Sequence, residues 1–136
     1  MGIPVESRIH RTLRNLERFK ACNQWDQLPQ LDGICSPLGE TERLLGAYEN
    51  VPERVENLLL FTNLGVHLWE GGRWRSLQYA DIAGTEWPTE PKTEAHTLVV
   101  RMKTGAYEPL PILVGLFDVM RFFDRVVEDI KRGSSP

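Results

Sequence analysis

The spacing of hydrophobic positions changes twice along the chain. Near the start, Val5, Ile9, Leu13 and Leu16 recur three and four apart, and Phe19 or Lys20 continues the row. That period predicts an amphipathic helix over residues 4–20. Pro4 suits its first position, where a missing N–H costs nothing. From residue 41 the helical period disappears, and short apolar or alternating runs follow one another between turn residues. At Leu116 the helical period returns. Leu116, Val119, Met120, Phe123, Val126, Val127 and Ile130 share a stripe that Phe117 and Phe122 widen, which predicts a helix over 116–131. Asp118 at its start and Lys131-Arg132 at its end suit the helix dipole, and Gly133 is placed to stop it.

The middle of the chain predicts seven strands, and residues 56–87 are its organising stretch. Leu58 to Phe61 form a short apolar run, the mark of a strand covered on both faces. Asn63 and Gly65 form a turn into Val66-His67-Leu68-Trp69, and Gly71-Gly72 supply a second hairpin turn at no steric cost. Residues 74–79 and 82–87 are the next strands, the latter ended by Pro88, with Gly84 marking a bend or bulge. Residues 41–50 open the set, with Leu45 and Ala47 on one face and Leu44, Gly46 and Tyr48 on the other. Residues 96–103 alternate with a period of two, and 110–114 close the set. Pro111 cannot donate a ladder bond, so it belongs at an edge. Residues 50–55 and 89–93 are loops. The irregular residues 21–39 carry Trp25, Leu28, Leu31, Ile34 and Leu38, enough apolar surface for an ordered connector anchored at Trp25.

Composition removes several classes. The 136 residues fit one globular unit large enough to need no metal or disulfide staple. A net charge of −3 gives no general attraction to nucleic acid or anionic lipid. Two isolated cysteines, Cys22 and Cys35, form neither a disulfide framework nor a zinc site, and fit reduced thiols in a cytoplasmic protein. No apolar run approaches the ~18 residues of a membrane span, and no secretory signal core is present. Met1-Gly2 fails the lipidation motif because Glu6 stands where Ser or Thr is needed. His10, His67 and His96 lack metal-ligand spacing, no cysteine–histidine pair has a nucleophile context, and no glycine-rich loop cradles phosphate. Glu86, Glu90 and Glu94 read as a solvated face. Trp69, Trp74 and Trp87 fall on adjacent strands; one of them facing solvent marks a contact surface. No cofactor, metal or catalytic residue is implied.

Four pieces of text resemble the bacterial pleckstrin-homology-like and GRAM-like domains: residues 42–48, 60–68, 79–82 and 110–112, in that order before a C-terminal helix. The resemblance covers residues 40–131. It implies a mainly β fold, a seven-stranded antiparallel barrel or sandwich capped by the C-terminal helix, here preceded by the N-terminal amphipathic helix. The expected organisation is a helix and connector over 1–39, the domain over 40–132 and a tail over 133–136. The family implies a non-catalytic binding scaffold, self-assembling in some members, without one common ligand. Members that bind phosphoinositides use Lys and Arg around the first strand loop. Here residues 49–56 set Arg54 against Glu49, Glu53 and Glu56, which opposes a phosphate headgroup.

The expected function is therefore an interaction module that binds a protein or peptide, or a second copy of itself, and no nucleic acid. In this superfold the edge strand beside the C-terminal helix can accept an extended peptide. The candidate contact residues are Ile82, Ala83, Gly84 and Trp87 on that strand, and Phe117 and Arg121 on the helix. Ala83 and Gly84 leave room for another backbone, and Trp87 offers an aromatic anchor. A competing arrangement has residues 1–39 filling this groove, in cis or from a second copy. The alternative function is a peripheral membrane adaptor using Arg8, Arg11, Arg14 and Arg18 of the N-terminal helix.

Overall fold

The computed structural model describes residues 4–91 and 94–133. The Met1-Gly2 motif, residues 92 and 93 of the 89–93 loop, and the tail beyond Gly133 lie outside the described residues. The helices are α1 (Val5–Thr12) and α2 (Leu116–Gly133). The strands are β1 (Phe19–Ala21), β2 (Leu44–Tyr48), β3 (Leu59–Thr62), β4 (Gly65–Glu70), β5 (Arg73–Gln78), β6 (Ile82–Glu86), β7 (Thr97–Met102) and β8 (Tyr107–Pro111). Short 3-10 turns occupy Trp25–Gln27, Pro29–Leu31 and Tyr79–Asp81.

The fold is mainly β, as expected, with two differences. The described strands number eight rather than seven, and they form two antiparallel sheets rather than a closed barrel: β1-β2-β3-β4-β5 and β6-β7-β8. The added strand comes from inside the predicted 4–20 helix. The helix ends at Thr12, whose hydroxyl donates to Arg8 O at 2.6 Å, a side-chain bond of the kind that competes with helix continuation. Tight turns carry the chain to Phe19, which pairs with Tyr48. Phe19 then sets its ring edge against Phe61, with centroids 5.9 Å apart. Gly46 makes this possible, since a Cβ there would run into the Phe19 ring. The helical spacing of Phe19 thus reflects a shared inward direction, not a continued helix.

Two cores flank the larger sheet. The main one is shared by both sheets, α1 and α2, and centres on the rings of Phe61, Tyr79, Phe122 and Phe123, each edge-on to at least one of the others. The second lies on the opposite face, where Cys22, Leu28 and Leu31 of the connector cover Leu44, Ala47, Leu58 and Leu60. Leu28 and Leu31 are its deepest anchors; Trp25 is half-buried, edge-on to Trp74 at 6.2 Å. Leu44 and Ala47 share this face despite their odd spacing, because the register of β2 shifts between Leu44 and Gly46. That bulge overturns the simple alternation expected for residues 41–50.

The remaining boundaries follow local chemistry. The Gly71 and Gly72 turn has positive φ at both residues, as the hairpin requires. A register irregularity falls between Ile82 and Gly84, where the bend was expected. The last strand starts at Tyr107 and ends at Pro111, earlier than the expected 110–114, and it is an edge strand that tolerates its prolines. Asn50 locks the two sheets at one corner: its amide donates to Asn57 O and Pro111 O, and its carbonyl accepts from Leu113 N–H. α2 runs through Gly133, two residues past the expected end. The N-terminal segment runs antiparallel to it, from Arg8 of α1 on Asp129 to Leu16, beyond α1, over Gly115.

Candidate functional site

Two large aromatic side chains stand in the open, Tyr107 at the start of β8 and Trp87, and of these Trp87 has a second ring beside it. Trp87, just beyond β6, is 76% exposed, and its ring tilts against Phe117 with centroids 5.5 Å apart. An indole left in water beside a second aromatic is unusual for packing and common at contact surfaces. Trp69 and Trp74 behave differently, half-buried in an edge contact at 5.1 Å. Around Trp87 and Phe117 opens a hollow of about 340 Å³, lined further by Met120, Arg121, Asp124, Arg125 and Glu128. The helical period already places these last residues one turn apart beside Phe117, yet the sequence reading named Arg121 alone among them.

β6 lies at the edge of its sheet and has no second strand beside it among the described residues. Its hydrogen-bond direction follows from the ladder. Met102 N–H donates to Ala106 O, so even-numbered residues of β7 face β8 and odd-numbered ones face β6. Gly84 and Glu86 pair with Arg101 and Val99, and so bond inward. Thr85 therefore turns its N–H and C=O toward the open edge. Its hydroxyl donates to Asp124 Oδ1 at 2.9 Å, a bridge from the edge strand to α2.

The predicted contact residues divide three ways. Trp87, Phe117 and Arg121 are brought together at the hollow. Ala83 and Gly84 lie partly exposed on the edge strand, but the space above Gly84 holds the Arg101 guanidinium, 3.2 Å from where a Cβ would sit. Approach is thus along the strand edge rather than over Gly84. Ile82 is fully buried in the main core, because the register irregularity between Ile82 and Gly84 turns it to the inward face, opposite Met102. The described residues 4–39 do not fill this groove in cis. α1 packs on the flank of α2 that carries Asp129, and the connector covers the far face of the larger sheet.

The basic helix is also reassigned. Ile9 and Leu13 are buried in the main core, and α1 is eight residues long. Arg8 grips Asp129 through two bonds of 2.6 and 2.8 Å, and Arg18 donates to Asn50 O at 2.5 Å. The apolar face and half the arginines that a membrane would need are used inside the fold. A second hollow of about 390 Å³, between α1 and β1, has a floor of Phe19 and Leu45 and a rim of Glu6, His10 and Arg14. Among the described residues, no group of three or more His, Cys, Asp and Glu is placed to hold a metal ion, and no helix is long and apolar enough to cross a membrane.

One polar network escaped the sequence reading. His67 Nδ1 meets Ser76 Oγ at 2.6 Å and its Nε2 meets Glu42 Oε2 at 2.7 Å. His67 and Ser76 form a non-hydrogen-bonded cross-strand pair, where side chains approach closely. The order of types matches a nucleophilic triad. Its setting does not: Ser76 lines neither hollow, and Thr62 also donates to Glu42 at 2.6 Å. With Ser76 donating to Nδ1, Nε2–H donates to Glu42 and the buried ring is satisfied. Glu42 Oε1 accepts from Gly39 N–H, so the network clasps the connector's end to the sheet.

Two buried carboxyls gain from the fold. Burial raises that of Glu42, but hydrogen bonds from Thr62, His67 and Gly39 together outweigh it and hold the carboxyl below the ordinary 4.5. The Arg8 hydrogen bonds hold Asp129 below its ordinary 3.8. A lowered carboxyl adds stability that is complete above its unfolded value and is lost as pH falls through the folded one. The melting temperature is therefore expected to drop below pH 4.5 as these groups take up protons. In Glu42→Gln and Asp129→Asn the acid limb should be shallower; an unchanged limb in both variants contradicts the assignment.

No family model, curated protein or solved structure matches the chain.

Proposed function

We propose that this chain is a non-catalytic interaction module of the pleckstrin-homology-like type, with its working surface where β6 meets α2. The observation that carries the reading is the exposed Trp87–Phe117 pair beside the outward-facing backbone of Thr85. The pair supplies an aromatic anchor, and the strand edge supplies main-chain bonds for an extended protein segment. The order of β2 to β8 followed by α2 supports the family part of the reading.

The test is selection from a displayed library of random peptides on the intact protein, with counter-selection on Trp87→Ala. Enriched peptides are expected to bind the wild type with micromolar affinity and to lose about tenfold or more on Trp87→Ala, the loss of a central aromatic anchor. Peptides that bind both proteins equally, or no enrichment, overturn the reading.

Phosphoinositide is not the ligand in this reading. Arg54 pairs with Glu56 at 3.4 Å, and both side chains are exposed in a loop rich in carboxylates. Vesicles carrying phosphoinositide are expected to show no salt-sensitive binding, and Arg54→Ala to change nothing. Headgroup-specific binding that Arg54→Ala abolishes contradicts this.

A further inference from the structure

We propose that the partner at this surface is a second copy of the chain, docked through an antiparallel α2–α2 contact on a twofold axis. The proposal deepens the interaction reading and rests on it. By the 3.6-residue period, the outward residues of α2 fall on one face, and Val119, Phe122, Phe123 and Val126 fall on the other, inside the main core.

In a twofold antiparallel pair, residues equally far from the axis on either side meet across it. With the axis between Asp124 and Arg125, Asp124 faces Arg125 of the second copy. Arg121 faces Glu128, which lies on the same line of the helix surface two turns away. Every contact joins opposite charges, and symmetry makes each one twice. Phe117 faces Arg132, a cation over an aromatic ring, so each end of the contact carries a Trp87–Phe117 pair. The remaining charge of this stretch, Asp129, is buried against Arg8 and takes no part.

Neighbouring registers are penalised. An axis at Arg121 sets that residue against itself and Asp118 against Asp124. An axis at Glu128 sets it against itself and Arg125 against Lys131. The charge order thus disfavours both of these registers by repulsion. Within the helix, Arg121 lies 3.9 Å from Asp118 and Arg132 2.6 Å from Glu128, both pairs in solvent. The second copy extends these pairs across the axis. A contact this small and polar belongs to the weak class, with Kd on the order of 10–300 µM.

Sedimentation equilibrium on the full chain tests the proposal through a charge swap. In Arg121→Glu, residue 121 faces Glu128 and the copies repel; in Glu128→Arg, residue 128 faces Arg121 and they repel again. An equimolar mixture restores attraction at both contacts. Each variant alone is expected to dimerise at least about tenfold more weakly than wild type, and the mixture to recover to within about threefold. Recovery in the mixture also shows that both variants are folded. A wild type that stays monomeric to about 500 µM overturns self-association. If Trp87-dependent peptides are nevertheless selected, the interaction reading stands without it; if none are, both fall. A wild-type dimer indifferent to both charge changes, or a mixture that does not recover, places the contact elsewhere and overturns the α2 pairing.

Discussion

Deleting residues 1–39 is expected to unfold the protein rather than to uncover a binding groove. The segment supplies β1, buries Ile9, Leu13 and Phe19 in the main core, and lays Cys22, Leu28 and Leu31 over the second. Removing it also removes the entropy cost of ordering it. The loss that remains is borne by the residues left behind, because Leu44, Ala47, Leu58 and Leu60 would face water. At roughly 1.5–3 kcal/mol per fully buried large aliphatic side chain, exposing the three leucines alone costs about 5–9 kcal/mol. That is comparable to the whole net stability of a domain, about 5–15 kcal/mol. The measurement is thermal unfolding by circular dichroism together with dye binding to apolar surface. The account predicts loss of the cooperative transition and strong dye binding. A truncated chain that melts cooperatively at the wild-type midpoint contradicts it.

Phe123→Ala is the point substitution expected to cost most, about 3–5 kcal/mol. The ring is fully buried on the inward face of α2. Its centroid lies 6.3 Å from those of Phe61 and Tyr79 and 5.5 Å from that of Phe122. Truncation leaves a cavity where the two sheets and the helix converge, with little freedom for rigid rings to collapse into it. Denaturant unfolding of the variant reads the cost directly. A loss below about 1 kcal/mol, the range of surface changes, would mean that α2 is turned differently from the arrangement described.

What the sequence made legible depended on how local each signal was. Gly71-Gly72, the alternation around Leu98 and Val100, and the stripe of α2 are each set by neighbours a few residues apart, and each was found. Pro88 marked the end of β6 to within one residue, and Trp87 stands exposed just beyond it. Phe19 misled because a helix stripe and a short strand both turn it inward, and three residues are too few to show a period of two. Two prolines concealed the start of β8. Ile82 entered the contact set because the strand was treated as a unit, although the irregularity between Ile82 and Gly84 turns Ile82 into the core. The His67 clasp and the Arg8–Asp129 pair were invisible for another reason. Their partners stand far apart in the chain, 25 residues for His67–Glu42 and 121 for Arg8–Asp129, and only the folded topology joins them.

The central claim is that the chain works through the surface where β6 meets α2. The most direct test is an amide-resolved spectrum of the labelled protein, first as a selected peptide is added and then as protein concentration is raised. The account predicts that shifts centre on Thr85, Trp87, Phe117 and Asp124, and that the Thr85 amide becomes protected from exchange when peptide is bound. Shifts centred instead on the outer edge of β5 or on the α1 hollow around His10 and Arg14, with Thr85 and Trp87 unmoved, would contradict it.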